Sequence, residues 1–274
     1  MNTALASVPY QVRTHNASEQ SENRMHSDDV AKQFGFKGGL VPGVTVFAHM
    51  TRPLVARYGE AWLTRGTADV SLDKPAYEGE LLSIPSTETE NRMHTLTCLN
   101  EQGIELARMS ADMPAIAAQP DARGEIAAAP PLQERPTVTW DLMAIDQPFP
   151  ALAWTPTAED NLEWCRDVRD DLALYREGAA PLLHPGLILR QANFVLRKRF
   201  VIPAWIHTAS RITFFEALRT GPDYEVRAIP EQKWNRKGHE FVRLYVNIRR
   251  DQRTVAEILH TAIFRPRERE TRPA

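Results

Sequence analysis

His26, near the start of the chain, has a side-chain type that can do proton-transfer chemistry, and Asn23 stands three residues before it, although an Asn-x-x-His spacing alone identifies no site. The imidazole of His titrates near neutral pH, so His26 could both take and give a proton. Ser27 is a candidate N-cap, followed by Asp28 and Asp29 in the first turn of a short helix. His26 therefore stands just outside a helix start, on an irregular segment of the kind that can place a side chain in a pocket.

A second set of residues could position a substrate, because Leu40-Val41-Pro42-Gly43 opens an amphipathic segment. Gly35 predicts the end of the short helix before it. Apolar side chains then recur at helical spacing, and a strand-like alternation follows over 68–73. The helical positions are Val44, Phe47, Ala48, Thr51, Val55 and Tyr58.

The same plan occurs twice along the chain. A second step, Leu183-His184-Pro185-Gly186, opens another amphipathic segment. Pro42 to Gly79 spans 37 positions and Pro185 to Gly221 spans 36. Each half then ends in a two-strand ribbon around a polar turn, at 100–103 and at 250–253. We therefore predict an α+β fold of two tandem units, each an antiparallel sheet wrapped around a central helix.

A Pro- and Ala-rich stretch that begins at about residue 115 separates the halves and is typical of a linker. We predict a first domain over 1–115, a linker over 116–150 and a second, degenerate domain over 151–274. Such a chain could act as a pseudo-dimer by itself, and further pairing of two chains is left open.

The first half resembles the MaoC-like, (R)-specific enoyl-CoA hydratase family of hot-dog proteins over roughly residues 8–115. The family carries an Asp-x-Asn-Pro-x-His motif, a short helix, a Gly-rich loop and a Gly at the start of the central helix. Here Asn23-x-x-His26, the helix from Asp28 to Ala31, the loop over 35–39 and Gly43 occupy those places. The second half matches in architecture only. The resemblance implies two tandem hot-dog domains.

The resemblance also implies a chemistry, the addition of water to an enoyl thioester or its reversal, without a cofactor or a metal. By position, His26 is the acid/base, Asn23 orients the loop and its water, and Gly43 donates to the thioester oxygen. Val41 and Pro42 would contact the substrate, a small-molecule acyl thioester expected to be linked to CoA. The expected setting is cytoplasmic fatty acid metabolism.

The motif departs from the family pattern in two places, because Ser21 stands where the family has its catalytic Asp and Arg24 replaces the Pro. Three outcomes stay open. His26 works alone, a neighbouring carboxylate (Glu22, Asp28 or Asp29) replaces the Asp, or ordinary hydration is lost. Ser21 is kept as a candidate site residue.

In the second half, Trp164 stands where His26 would, and its ring could fill the second pocket. His184, without a partner histidine, is assigned to packing, and the helix predicted over 187–200 is expected to complete the first cleft. His49 is expected to be hydrogen-bonded at a helix flank, and Cys98 to be buried in a strand.

The bulk composition excludes several classes of function. A net charge of −2 gives no reason to expect nucleic acid or an anionic membrane as a partner. Two cysteines without zinc-site spacing predict neither a disulfide framework nor a metal site. The N-terminal residues lack the pattern of a secretory signal, no apolar run is long enough for a membrane span, and no nucleotide-binding motif occurs.

Three functions therefore compete. The leading one is a hydro-lyase acting on an acyl thioester. A hot-dog thioesterase is less favoured, because no carboxylate occurs between Gly43 and Gly59 to drive hydrolysis. The third is a non-catalytic protein that binds acyl thioesters, and Ser21 is its main support.

Overall fold

The structure, a computed structural model, describes residues 8–89, 93–121 and 126–267. The first half contains a 3₁₀ turn at Arg24–His26 and the following helices and strands: β1 (Tyr10–Arg13), α1 (Asp28–Gln33), α2 (Gly43–Tyr58), α3 (Glu60–Arg65), β2 (Thr67–Leu72), β3 (Leu81–Ile84), β4 (Ser86–Glu88), β5 (His94–Leu99) and β6 (Glu105–Asp112). The second half contains a 3₁₀ turn at Ala173–Tyr175 and these elements: β7 (Leu152–Trp154), α4 (Ala158–Asp167), α5 (Pro185–Arg199), β8 (Ile206–Phe214), β9 (Tyr224–Arg236), β10 (His239–Arg250) and β11 (Arg253–Arg265).

The strands of the described residues form one antiparallel sheet whose order is β1-β3-β5-β6-β2-β8-β11-β10-β9-β7, with β4 beside β5. From the middle of the sheet outward, the first half runs β2-β6-β5-β3-β1 and the second half runs β8-β11-β10-β9-β7. Corresponding strands of the two halves therefore occupy corresponding places. The two halves meet where β2 pairs with β8, from Thr67 opposite Thr213 to Ser71 opposite Ala209. This mirrored order confirms the predicted tandem of two hot-dog units, and the structure shows that the units are joined edge to edge.

The central helices α2 and α5 begin where the two Pro-Gly steps predict and pack against each other. Their close approach depends on Gly186, since a Cβ there would lie 2.8 Å from Cβ of Ala48. The buried faces of both helices and of the sheet share one hydrophobic core, in which Phe47 and Leu189 are fully buried. Burial of these apolar faces is the main stabilising contribution to such a fold.

The turns of both ribbons also lie where the sequence predicts them. In the first, Asn100 Oδ1 accepts from the backbone N–H groups of Gln102 and Ile104, at 3.1 and 2.9 Å. In the second, Asp251 and Gln252 take positive φ angles of 50° and 64° between β10 and β11.

Between β6 and β7 the described residues form no helix or strand, only isolated bridges such as Thr137 to Val201. This agrees with the composition of that stretch, and the domain boundaries at 115 and 151 stay a prediction. None of the described helices combines the length and the apolar character that crossing a membrane requires.

Candidate active site

His26 ends the 3₁₀ turn that precedes α1, and two contacts hold its ring. Nδ1 lies 2.7 Å from the carbonyl oxygen of Leu40, and Nε2 lies 3.1 Å from Nδ2 of Asn23. A carbonyl oxygen can only accept, so Nδ1 must carry the proton when the ring is neutral. Nε2 then has the lone pair that a general base needs, and the Asn23 amide donates to it. Burial lowers the pKa of His26, and the Leu40 contact partly opposes that shift.

Asn23 is buried, and its backbone contacts fix the orientation of its amide. Oδ1 accepts from the N–H groups of Met25 and Trp205, at 3.3 and 3.1 Å, while Nδ2 donates to the carbonyl oxygen of Trp205 at 3.0 Å. An amide flipped by half a turn would bring donors against donors. Nδ2 therefore has one hydrogen for Trp205 and one for His26, as the predicted orienting role requires.

A cavity of about 200 Å³ lies beside these two residues, and both halves of the chain contribute to its wall. The first half supplies Asn23, His26 and the step Leu40, Val41, Pro42 and Gly43. The second half supplies Asn193 from α5, Trp205 from the residue just before β8, and His207 and Ile263 from the sheet. The apolar part of this wall suits an acyl chain.

Gly43 is the first residue of α2, so its N–H has no acceptor within the helix. A Cβ at this position would lie 2.4 Å from Cδ1 of Leu72 and 2.7 Å from Nδ1 of His207. Only glycine fits between these two side chains. The predicted substrate-binding residues Val41, Pro42 and Gly43 are thus gathered on the same wall as His26.

Ser21 does not belong to the described cavity lining, and its hydroxyl donates to the carbonyl oxygen of Asn23 at 3.3 Å. The three candidate replacement carboxylates also lie outside that lining. Glu22 pairs with Arg135 and Arg197, and Asp28 accepts from the Gly39 N–H at 2.8 Å. Asp29, on the surface of α1, is likewise outside.

A carboxylate that the sequence did not single out, Asp73, stands at the exposed mouth of the cavity next to Lys74. Asp73 accepts from the Ser71 hydroxyl at 2.9 Å and lies 3.6 Å from Arg108.

His207 is another polar group of the lining that sequence reasoning missed. It is 6% exposed, and its pKa is lowered to about 3 by burial, which a backbone contact with Ala209 partly opposes. His207 is therefore neutral near pH 7. The sequence around His207 contains no site motif. His207 lines the cavity because residues of the first half pack beside it in the fold.

In the second half, Tyr175 and not the predicted Trp164 stands in the place of His26. Each of these two residues ends a 3₁₀ turn, and the residue before it accepts a backbone N–H: Met25 from Leu40 at 2.9 Å and Leu174 from Leu182 at 3.1 Å. Tyr175 is fully buried.

Trp164, on α4, is also buried and packs against the start of α5, where a Cβ on Gly186 would lie 2.9 Å from its ring. Its Nε1–H donates to Nδ1 of His184 at 3.1 Å, and the Gly186 N–H donates to the same nitrogen at 3.0 Å. Since Nδ1 accepts twice, the proton of His184 is on Nε2, which lies 3.2 Å from Asp170 Oδ2. His184 thus belongs to a buried polar network rather than to apolar packing.

Four further residues of interest lie away from this cavity. His49 is buried in α2 rather than hydrogen-bonded at a flank, and its pKa is lowered to about 3, chiefly by burial. Cys98 is buried in β5 as predicted, and burial raises its pKa to about 12. His15 pairs with Glu78, and His94 lies 2.7 Å from the Tyr58 hydroxyl. Within the described ranges, no three His, Cys, Asp or Glu side chains converge as a metal site would require.

Comparison with solved structures agrees with this architecture. A protein of Chloroflexus aurantiacus described as a MaoC domain dehydratase superposes with a TM-score of 0.68 at 12% identity, covering 97% of this chain and 96% of its own. A Mycobacterium tuberculosis protein described as having a double hot-dog fold superposes with a TM-score of 0.62 at 14% identity, covering 94% of this chain and 96% of its own. A Lactobacillus plantarum protein described as an oleoyl thioesterase superposes with a TM-score of 0.51 at 11% identity, covering 96% of this chain and 99% of its own.

At these identities the likeness establishes the fold, a double hot-dog shared with MaoC-like dehydratases and with thioesterases. No family model matches the sequence, and no curated protein matches it closely enough to count as a relative.

Proposed function

We propose that the chain is a hydro-lyase that adds water to an enoyl thioester, or removes it from a 3-hydroxyacyl thioester, with CoA as the carrier. The observation that carries the proposal is the neutral His26 ring, with its proton held on Nδ1 by Leu40 and its Nε2 beside a cavity that also contains the N-terminus of α2. A base and an oxyanion donor on one wall are what this reaction needs.

In the direction of hydration, the thioester oxygen accepts from the Gly43 N–H, which stabilises the enolate charge. His26 Nε2 takes a proton from water while the water oxygen bonds to C3, and the ring then returns the proton to C2. One water is consumed and His26 ends as it began. Val41 and Pro42 line the path of the acyl thioester. Ser21 braces Asn23 through its carbonyl and takes no part in proton transfer.

The mechanism requires one exchange of partners. In the absence of substrate, the single lone pair of His26 Nε2 already accepts from Asn23. The reacting water or hydroxyl must replace that amide, while the Asn23 N–H turns to the incoming oxygen. Catalytic hydrogen bonds often reach their working geometry only with substrate bound.

The same contact favours a second candidate, a protein that binds acyl thioesters without turning them over. If Asn23 stays on Nε2, His26 has no base to offer and the cavity only binds. A thioesterase is less favoured, because α2 carries no carboxylate over Gly43–Tyr58 that could activate water for attack on the carbonyl.

One set of assays separates these functions. The purified chain is offered trans-2-enoyl-CoA and 3-hydroxyacyl-CoA substrates of several chain lengths, followed at the enoyl absorbance and, in parallel, with a reagent for free thiols. Interconversion without thiol release supports the hydro-lyase. Thiol release indicates a thioesterase, and saturable binding without either change indicates the binding protein.

A further inference from the structure

Three side chains of the second half form a hydrogen-bonded chain that ends at the cavity. Nε2 of His207 lies 2.8 Å from Oγ of Ser210, and that oxygen lies 3.0 Å from Nδ1 of His260. All three side chains are buried, and the two imidazole rings lie 4.4 Å apart, centroid to centroid. Neither Nδ1 of His207 nor Nε2 of His260 has a hydrogen-bond partner among the described residues.

The Ser210 hydroxyl has one hydrogen and sits between two ring nitrogens, so only two arrangements satisfy both contacts. In the first, Ser210 donates to His260 and accepts from His207, which leaves a bare lone pair on His207 Nδ1 and an N–H on His260 Nε2. In the second, Ser210 donates to His207 and accepts from His260. His207 Nδ1 then carries an N–H, and His260 Nε2 is the bare acceptor.

The cavity favours the second arrangement. Each arrangement leaves one buried N–H without an acceptor among the described residues, on His260 Nε2 in the first and on His207 Nδ1 in the second. Orphaned buried donors are rare in folded proteins. His207 lines the cavity and His260 does not, so only the N–H on His207 can gain an acceptor from a bound molecule, which must displace the neighbours that cover Nδ1.

The position of that N–H gives it a target. His207 Nδ1 would lie 2.7 Å from a Cβ on Gly43, so it stands next to the residue whose backbone N–H starts α2. Two donors therefore flank the same corner of the cavity, one from each half of the chain. Oxyanion sites are commonly built from more than one preorganised donor.

We propose that His207 is the second oxyanion donor of this site, contacting the thioester oxygen opposite the Gly43 N–H, with Ser210 and His260 as positioning residues that keep the proton on Nδ1. The proposal rests on the proposed function for its substrate, an acyl thioester. It adds a catalytic residue from the half that lacks the hydratase-like motif. The donation is a hydrogen bond only, so no proton leaves His207.

Two substitutions at His207 separate the roles of its nitrogens. The amide nitrogen of Asn falls near the place of Nδ1, whereas that of Gln falls near Nε2. H207N keeps a donor toward the cavity and H207Q keeps the contact with Ser210. With crotonyl-CoA we expect H207Q to lower kcat about 100-fold with little change in KM, the usual loss for one oxyanion donor. H207N should stay within about tenfold of the unsubstituted protein, since it retains a donor at that corner.

A spectroscopic readout tests the same contact without turnover. Butyryl-CoA labelled with ¹³C at its carbonyl cannot be hydrated, and its bound carbonyl stretch reports hydrogen bonding to the oxygen. We expect the stretch to be lowered in the unsubstituted protein and in H207N, and to return toward the free value in H207Q. If the chain proves not to be a hydro-lyase, this shift still supports His207 as a hydrogen-bond donor to the thioester oxygen. Failure of the proposed function and failure of the His207 proposal are therefore distinguishable.

Three results would overturn the proposal. One is a carbonyl stretch and a kcat in H207Q equal to those of the unsubstituted protein. Another is an equal loss in H207N and H207Q accompanied by lowered Tm in both, which indicates a structural role. The third is the absence of butyryl-CoA binding, since the proposal requires the thioester in this cavity.

Discussion

Asn23 and Trp205, from opposite halves of the chain, exchange two hydrogen bonds. The Asn23 amide donates to the Trp205 carbonyl oxygen at 3.0 Å and accepts from its N–H at 3.1 Å. The Arg24 N–H reaches Pro203 in the same way, at 2.8 Å. The second half therefore acts as the frame that holds the hydratase-like motif, in addition to walling the cavity.

This relationship predicts two different outcomes at Asn23. N23A leaves buried backbone groups of Met25 and Trp205 without partners, so we expect a loss of about 1–3 kcal/mol in unfolding free energy. N23D places a carboxylate beside the imidazole, which raises the pKa of His26. Urea unfolding measures the first effect and NMR titration of the ring measures the second. An unchanged stability in N23A would contradict the framing role.

Gly43 should tolerate no side chain. A Cβ there meets Leu72 and His207 at 2.4 and 2.7 Å, so G43A should abolish most activity and weaken binding of butyryl-CoA. The matched control is G103A, at a turn with φ of +70° and open space around it. That variant should cost about 1 kcal/mol of stability through backbone strain and leave activity intact. Equal activity losses in both variants would contradict the account.

Stability should fall as pH falls below about 6.5, the ordinary pKa of histidine. His49 and His207 have pKa values lowered to about 3 by burial, so between these limits the unfolded chain binds protons that the folded chain does not. Each such histidine contributes up to about 1.4 kcal/mol per pH unit, with full stability above the unfolded pKa. In H49N, unfolding between pH 7 and pH 5 should take up about one proton fewer than in the unsubstituted protein, so the free energy of unfolding, measured with urea, should depend less steeply on pH. A slope identical to that of the unsubstituted protein would argue against this linkage.

The buried polar network around Trp164 should contribute to stability but not to chemistry. W164F keeps an aromatic ring, but it removes part of the buried indole and the N–H that donates to His184, so we expect a loss of about 1–3 kcal/mol in unfolding free energy. Trp154, half-buried against Tyr224, provides the control W154F with a smaller loss. Thermal unfolding and kcat measure the two properties. A drop in kcat for W164F without a drop in Tm would place chemistry in this network of the second half and contradict the prediction.

The sequence predicts much of the fold, because periodicity and the Pro-Gly steps are local signals. Both central helices, both ribbon turns and the left-handed Gly35 (φ 88°) lie as expected. Ser27 occupies the N-cap position of α1, yet its hydroxyl donates to the Arg24 carbonyl oxygen instead of capping the helix. The partner of a short polar side chain depends on the chain that folds over it.

The sequence predicts only part of the site, because the remaining lining residues come from the other half of the chain and reach the cavity only in the folded protein. Asn23, His26 and Gly43 lie within one local motif, whereas His207 and Asn193 reach the cavity because the halves pair edge to edge at β2 and β8. No spacing rule relates residues as far apart in the chain as His26 and His207, which are 181 positions apart. The contact between Asn23 and His26 Nε2 is likewise a matter of side-chain geometry, and it is what keeps the binding-protein alternative open.

The most direct test of the central claim is the rate of trans-2-enoyl-CoA hydration by the unsubstituted chain, by H26A and by the control H15A, whose histidine lies on the surface beside Glu78. Loss of a general acid/base commonly costs 10²–10⁴-fold. The account predicts a loss of about 100-fold or more in H26A and no change in H15A. Hydration by H26A at the rate of the unsubstituted chain, or the absence of hydration by the unsubstituted chain on every acyl length tried, would contradict it.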